Sequence, residues 1–153
     1  TLATYGVTKY IRTARTSEAL AMVVDIKGAE EVARDETFLY IGLPGDFSSW
    51  HPSDPPGAFK ADWHADTGAA SGIFRQLGVV SSGPVYFTYS VVAGAAGTAY
   101  PVKDYLTRMN IRGNSGAPFY IVVARGDLDG DGEDSYVIGH SMGSDLSVQN
   151  EGE

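Results

Sequence analysis

The stretch that decides the fold comes first: residues 1–36 read TLATYGVTKYIRTARTSEALAMVVDIKGAEEVARDE and contain no proline. Ile11, Ala14, Met22, Ile26, Ala29 and Ala33 recur at steps of three and four, with Glu18 interrupting the stripe between Ala14 and Met22. That spacing marks one face of an α-helix. Arg12, Arg15, Glu18, Glu30 and Arg34 fall on the opposite, charged face. Arg15–Glu18 and Glu31–Arg34 are i,i+3 pairs, each adding about 0.2–0.5 kcal/mol. Gly28 sits inside the run, at a cost of about 1 kcal/mol relative to alanine. Thirty-odd residues at ~1.5 Å rise make a rod of ~50 Å, whereas a chain of this length has a radius of gyration of ~15 Å. One end of the rod must therefore project. Leu2, Ala3, Tyr5, Gly6 and Val7 make the first end the less charged one, and an apolar helix end in water wants a partner. The expectation is one continuous helix over residues 4–36 with Met22, Ile26, Ala29 and Ala33 against the body.

Beyond this helix, residues 37–83 read as a connecting region. Gly42-Leu43-Pro44-Gly45, Pro52 and Pro55-Pro56-Gly57 break any periodicity up to about residue 68. Phe47, Trp50, Phe59 and Trp63 are spaced through that loop, and a short helix is expected over Ala69–Leu77, closed by Gly78. Residues 84–140 are β in character. Val85–Val92, Phe119–Ala124 and Ser135–Ile138 are rich in β-branched and aromatic residues. A second connection, residues 94–118, carries a short helical pattern near Val102–Met109. Residues 141–153 form a C-terminal tail with a weak strand signal around Leu146–Gln149. The fold class is therefore α+β, one domain over residues 1–153, with a long N-terminal helix packed on a three- to four-stranded antiparallel sheet.

Composition narrows function by exclusion. The chain has 153 residues, with 11 Lys and Arg against 19 Asp and Glu, for a net charge of −8. A phosphate backbone or an anionic membrane surface calls for the opposite sign, so no nucleic-acid partner is expected. There is no cysteine, which removes disulfides, Cys-ligated zinc, Fe–S clusters and thiol nucleophiles.

Between the last two long strands runs Gly126-Asp127-Leu128-Asp129-Gly130-Asp131-Gly132. Carboxylates at alternating positions followed by glycine form the first half of a calcium loop. The second half departs from an EF-hand, since position twelve is Ile138 and strands flank the loop. The candidate Ca2+ ligands are Asp127, Asp129 and Asp131, with Glu133 or Asp134 completing the set; the nearest base along the chain is Arg125. The competing reading is a solvated hairpin turn. Gly139-His140-Ser141-Met142-Gly143 matches the G-x-S-x-G of a serine esterase. No histidine follows Ser141 in the remaining twelve residues, so no catalytic residue is assigned. Trp50 and Trp63 could form a sugar-stacking platform, which with the acidic turn would make a secreted calcium-dependent carbohydrate-binding module; more often such aromatics fill a core or pin a loop. His51, His64 and His140 are not at metal-ligand spacing and read as structural or surface residues.

Lys9-Tyr10-Ile11-Arg12-Thr13-Ala14-Arg15-Thr16-Ser17-Glu18-Ala19 resembles the middle of the long N-terminal helix of type IV pilins and pseudopilins. Phe74-Arg75-Gln76-Leu77-Gly78, then Val85-Tyr86-Phe87-Thr88-Tyr89-Ser90-Val91, is similar to a stretch of the large pilins of Gram-negative bacteria, and Phe119–Gly132 to their last hairpin. The matches fall in the family's order from about residue 9 to residue 132. The resemblance implies a subunit of a helical filament, a pilus or a pseudopilus, serving adhesion, motility or secretion. It implies an upstream apolar half-helix that anchors the protein in the inner membrane before assembly. It implies further copies of the chain, other pilins and the assembly machinery as partners, at the cell surface or in the periplasm. The chain departs from many pilins in lacking both a helix-kinking proline before Glu36 and a C-terminal disulfide; some pseudopilins use a calcium loop in place of the latter.

Overall fold

The structure, a computed structural model, describes residues 1–52, 54–65 and 68–151. Residues 53, 66 and 67 of the connection and 152–153 of the tail lie outside the described residues. Helix α1 runs over Leu2–Thr37 without a break at Gly28. It stops because Phe38 takes left-handed backbone, φ 62°, and its N–H donates back to the Arg34 carbonyl at 2.8 Å. Helix α2, Ala69–Leu77, ends at Gly78 in the same conformation, φ 71°, which glycine adopts without strain. Helix α3 is one turn, Asp104–Arg108. Strands β1 (Thr88–Gly94), β2 (Phe119–Gly126), β3 (Ser135–His140) and β4 (Ser147–Gln149) form one sheet in sequence order. All neighbours are antiparallel. This α+β arrangement is consistent with the pilin-like fold expected from the sequence. The tail is thus not featureless, since it supplies the fourth strand.

Alternation along the strands divides the core in two. Tyr89, Val91, Tyr120, Val122, Ala124 and Val137 pack with Ala19, Met22, Val23 and Ile26 of α1. On the other face Val92, Phe119, Ile121, Val123 and Ile138 pack with Leu43, Phe47, Trp50, Leu106 and Ile111. The long connection therefore belongs to the body. It pairs with the chain of β1 at Leu43–Val92 and His51–Tyr89, and just before β1 at Ala61–Val85, so that the first strand is not left as an open edge. Where α1 crosses β3, a Cβ on Gly139 would meet Val23 Cγ1 at 2.9 Å and Lys27 Cδ at 2.8 Å. Only a residue without a side chain fits there. Lys27 Nζ then reaches past it to the carbonyls of His140, at 3.2 Å, and Gly143, at 2.9 Å.

Two features of α1 differ from the sequence expectation. Ile11 and Ala14 are exposed, and the buried row begins at Thr16 and Ala19. The sheet reaches only that far along the helix, so the first part of the stripe has nothing to face. Glu30 is not on the charged face but fully buried. Its Oε2 accepts the Ile41 N–H at 2.9 Å, while Oε1 is buried without a partner. The chain reverses after α1, and Glu30 gives the returning backbone an acceptor at the corner. Burial pushes its carboxyl from 4.5 to about 7, the Ile41 N–H pulling it back and neighbouring Glu31 adding to the rise.

A carboxyl raised in the folded state stabilises nothing at neutral pH. Below about pH 4.5 both states hold the proton; as pH rises to about 7 the unfolded state ionises first, and folding stability falls. The loss is on the order of 3 kcal/mol, from about 1.4 per pKa unit. Glu30→Gln should therefore melt higher than wild type at pH 8 and level with it at pH 4. Parallel melting curves at both pH values would show that Glu30 ionises freely.

Candidate functional site

Strands β2 and β3 pair as far as Gly126–Ser135, and residues 127–134 make the turn between them. The turn is wound around Asp127, which is buried: Oδ1 accepts the Gly130 N–H at 2.7 Å and Oδ2 the Gly132 N–H at 3.1 Å. Gly130 and Gly132 stand at φ 81° and 92°, which L side chains rarely adopt. Asp131 Oδ1 accepts the Glu133 N–H at 2.8 Å. Leu128 points inward and joins the helix-side core. This winding brings one carboxylate oxygen from each of Asp127, Asp129 and Asp131 within 4.8 Å of one another. Three hard oxygen donors at that spacing can hold a metal ion.

The other two sequence candidates are placed differently. The Glu133 side chain is exposed. Asp134 faces Arg125, with Oδ2 3.7 Å from Nε, and accepts from the Tyr136 hydroxyl at 3.5 Å. Burial raises the Asp134 carboxyl, with Arg125 opposing.

Arg125 is not the only base at the turn. Arg12 Nη2 lies 3.0 Å from Asp129 Oδ2, and Arg15 Nη1 donates to the Leu128 carbonyl at 2.9 Å. The Arg15 guanidinium also lies 4.3 Å from the centre of the Tyr86 ring. Glu18 accepts the Tyr86 N–H at 2.7 Å and pairs with Lys60 at 3.7 Å. Arg15 and Glu18, spaced as an i,i+3 pair, each turn to the body. Their partners lie far along the chain, where no local pattern points to them.

The remaining motifs resolve into structural parts. Trp50 and Trp63 are only 8% and 4% exposed, so they give no open platform for a sugar ring. Trp63 packs on His51 and Phe74, with ring centres at 4.4 and 5.5 Å, and Trp50 lies under the Arg125 guanidinium at 4.3 Å. Both fill the space left by the proline-rich connection. Ser141 closes the β2–β3 ladder: its N–H donates to the Tyr120 carbonyl at 3.1 Å, and its Oγ accepts the Tyr120 N–H at 3.2 Å. Gly139 is the packing glycine under α1. The segment after Ser141 turns into β4, whereas a nucleophile elbow turns from strand to helix.

Compared with protein-family models, curated proteins and solved structures, the chain matches none.

Asp127→Ala would strip the acceptors from two backbone N–H groups at once. A loss of about 1–3 kcal/mol is expected, read as a lower urea midpoint, with a smaller loss for exposed Asp131→Ala. Equal midpoints for the two variants would mean that the turn is not wound around Asp127.

Proposed function

We propose that this chain is a structural subunit of a type IV pilus or pseudopilus filament that assembles through its N-terminal helix. The observation that carries the reading is the asymmetry of α1. From Arg12 onward the helix is pinned to the body by the arginine contacts and the core. Before Arg12 every residue is exposed, Leu2, Tyr5, Val7 and Tyr10 among them. A helix that continues for ten residues past its last support, with apolar side chains in water, is built for another surface. In the proposed filament the apolar half-helices that these ends continue bundle at the centre and the heads coat it, joined by contacts that repeat without closing.

The reading requires an apolar half-helix upstream of Thr1, because no helix among the described residues is long and apolar enough to cross a membrane. Before assembly that segment would sit in the inner membrane. Other pilins and the assembly machinery are the expected partners, and the product is a cell-surface filament or a periplasmic pseudopilus. Electron microscopy of cells carrying the full gene, with antibody against this chain, should place the protein along thin filaments. Label found only as dispersed soluble protein would overturn the reading.

The metal we assign to the turn is Ca2+. Asp127, Asp129 and Asp131 offer only oxygen, and calcium takes six to eight oxygens at ~2.3–2.6 Å; backbone carbonyls and water would complete the shell. Bound only to the folded state, it stabilises by ~2.7 kcal/mol at a hundredfold excess over Kd. Melting should rise with added calcium and fall with chelator, and Asp129→Ala should abolish the shift. Melting indifferent to both would leave a self-wound turn held by Arg12, Arg15 and Arg125.

A further inference from the structure

Between the end of α1 and the sheet runs a short bridge, residues 38–41. Beyond it Leu43 is fastened to β1, its N–H donating to the Val91 carbonyl at 2.8 Å and its carbonyl accepting the Ala93 N–H at 3.2 Å. Before it Thr37 closes α1, its Oγ1 donating to the Ala33 carbonyl at 2.8 Å. The first two bridge residues bury little. Phe38 is 84% exposed and Leu39 63%, and Phe38 stands at φ 62°, a strained state for a bulky residue. The next two turn inward. The Tyr40 ring lies edge-on to Tyr120 at 4.8 Å, and the Ile41 N–H donates to Glu30 Oε2 at 2.9 Å.

Glu30 is the inner anchor, and its site suits one protonation state. The residue is fully buried, and Oε1 has no partner. A carboxylate there would hold one donor where water offers several, whereas a neutral acid costs far less to bury. Among the described residues no cation is set against it. On α1, Lys27 bonds the carbonyls of His140 and Gly143, Arg34 turns to Glu31 and Tyr40, and Glu31 adds a like charge. Burial keeps the phenols of Tyr40 on the bridge and Tyr120 on β2 protonated. His140 of β3 interacts with Lys27 and Asp145, and Arg75, the one charged residue of α2, bonds Ser71. We propose that Glu30 is a pH-sensitive latch on this bridge: protonated, it keeps residues 38–41 on α1; ionised, it favours a state in which they lift off and water reaches the carboxylate. Lifting frees Phe38 from its strained backbone and uncovers Tyr120, which is 1% exposed. With the bridge lifted the carboxyl titrates near its ordinary 4.5, and with the bridge down at about 7. Below both values opening does not depend on pH; it rises between them, about fortyfold from pH 5 to pH 7, and levels off above. The latch works within one chain and does not depend on the filament reading.

Amide hydrogen exchange, corrected for the intrinsic rate at each pH, reads such openings residue by residue. In the wild-type chain the opening constant at Ile41 should rise about fortyfold from pH 5 to pH 7. Glu30→Gln keeps the shape and an acceptor for the Ile41 N–H, and should hold the rise to at most about twofold. Glu31→Gln removes only the neighbouring charge and should leave most of it. Val122, inside β2, gauges global unfolding and should open at least about tenfold less often than Ile41 at pH 7. The proposal is overturned by no rise at Ile41, by a rise that survives Glu30→Gln or is lost equally in Glu31→Gln, or by equal opening constants at Ile41 and Val122. Equal constants would mean that the bridge leaves α1 only when the whole chain unfolds.

Discussion

Helix α1 lies on the sheet because Gly139 presents no side chain where Val23 and Lys27 cross it. Even a methyl group there would stand within 3 Å of both and lift the helix off β3. The rest of the helix-side core depends on that approach. Ala19, Val23 and Ile26 are fully buried, and burying a Val or Ile contributes about 1.5–3 kcal/mol. A long helix in water is sustained by such packing more than by propensity. Lys27 and Glu30 then fix the two chain reversals beside α1. Lys27 holds the β3–β4 turn through carbonyls, and Glu30 holds the departing chain through the Ile41 N–H.

The same helix answers the charge of the acidic turn. Five carboxylates fall within residues 127–134, and such a cluster attracts cations. Arg12 and Arg15 supply two from within the chain, and Arg125 a third. The Arg12–Asp129 pair is partly exposed, so by itself it is worth at most about 1 kcal/mol. Its weight lies in position, since among the described residues it is the last tie before α1 leaves the body. A metal at Asp127, Asp129 and Asp131 would draw on the same negative charge that Arg12 uses. Metal binding there would therefore be linked through Asp129 to the anchoring of α1 at Arg12.

Much of the fold was legible because the signals were local. The proline-free run gave α1 its continuity, Gly78 the end of α2, and the acidic glycine turn the β2–β3 hairpin. The three aspartates came from the same turn, whose backbone bonds span only a few residues. What was not legible depended on distance. Ile11 and Ala14 keep the helical step, but periodicity cannot say where the body under a helix ends. Glu30 looks like any surface acid until Ile41 returns to it. Trp50 and Trp63 were legible as aromatics that pin a proline-rich loop to the body, but which core each joins was not, because that loop shows no period. Arg12 and Arg15 reach partners more than a hundred residues away.

With no cysteine to close it, the C-terminal strand has to be held by polar contacts. Strand β4 has three residues and one neighbour, too little ladder to hold an edge by itself. Ser135 Oγ donates to the Asn150 carbonyl at 2.6 Å, and Asn150 Nδ2 to the Asp134 carbonyl at 3.2 Å. Gln149 Nε2 reaches the Tyr105 carbonyl at 3.0 Å, joining the strand to α3. Lys27 grips the turn that leads into it. Each contact is worth about 0.5–1.5 kcal/mol, more where the donor is charged. The first two land on the residues that close the acidic turn, so the turn and the last strand are held as one unit. Whatever tightens residues 127–134, such as an arginine from α1, therefore also tightens β4.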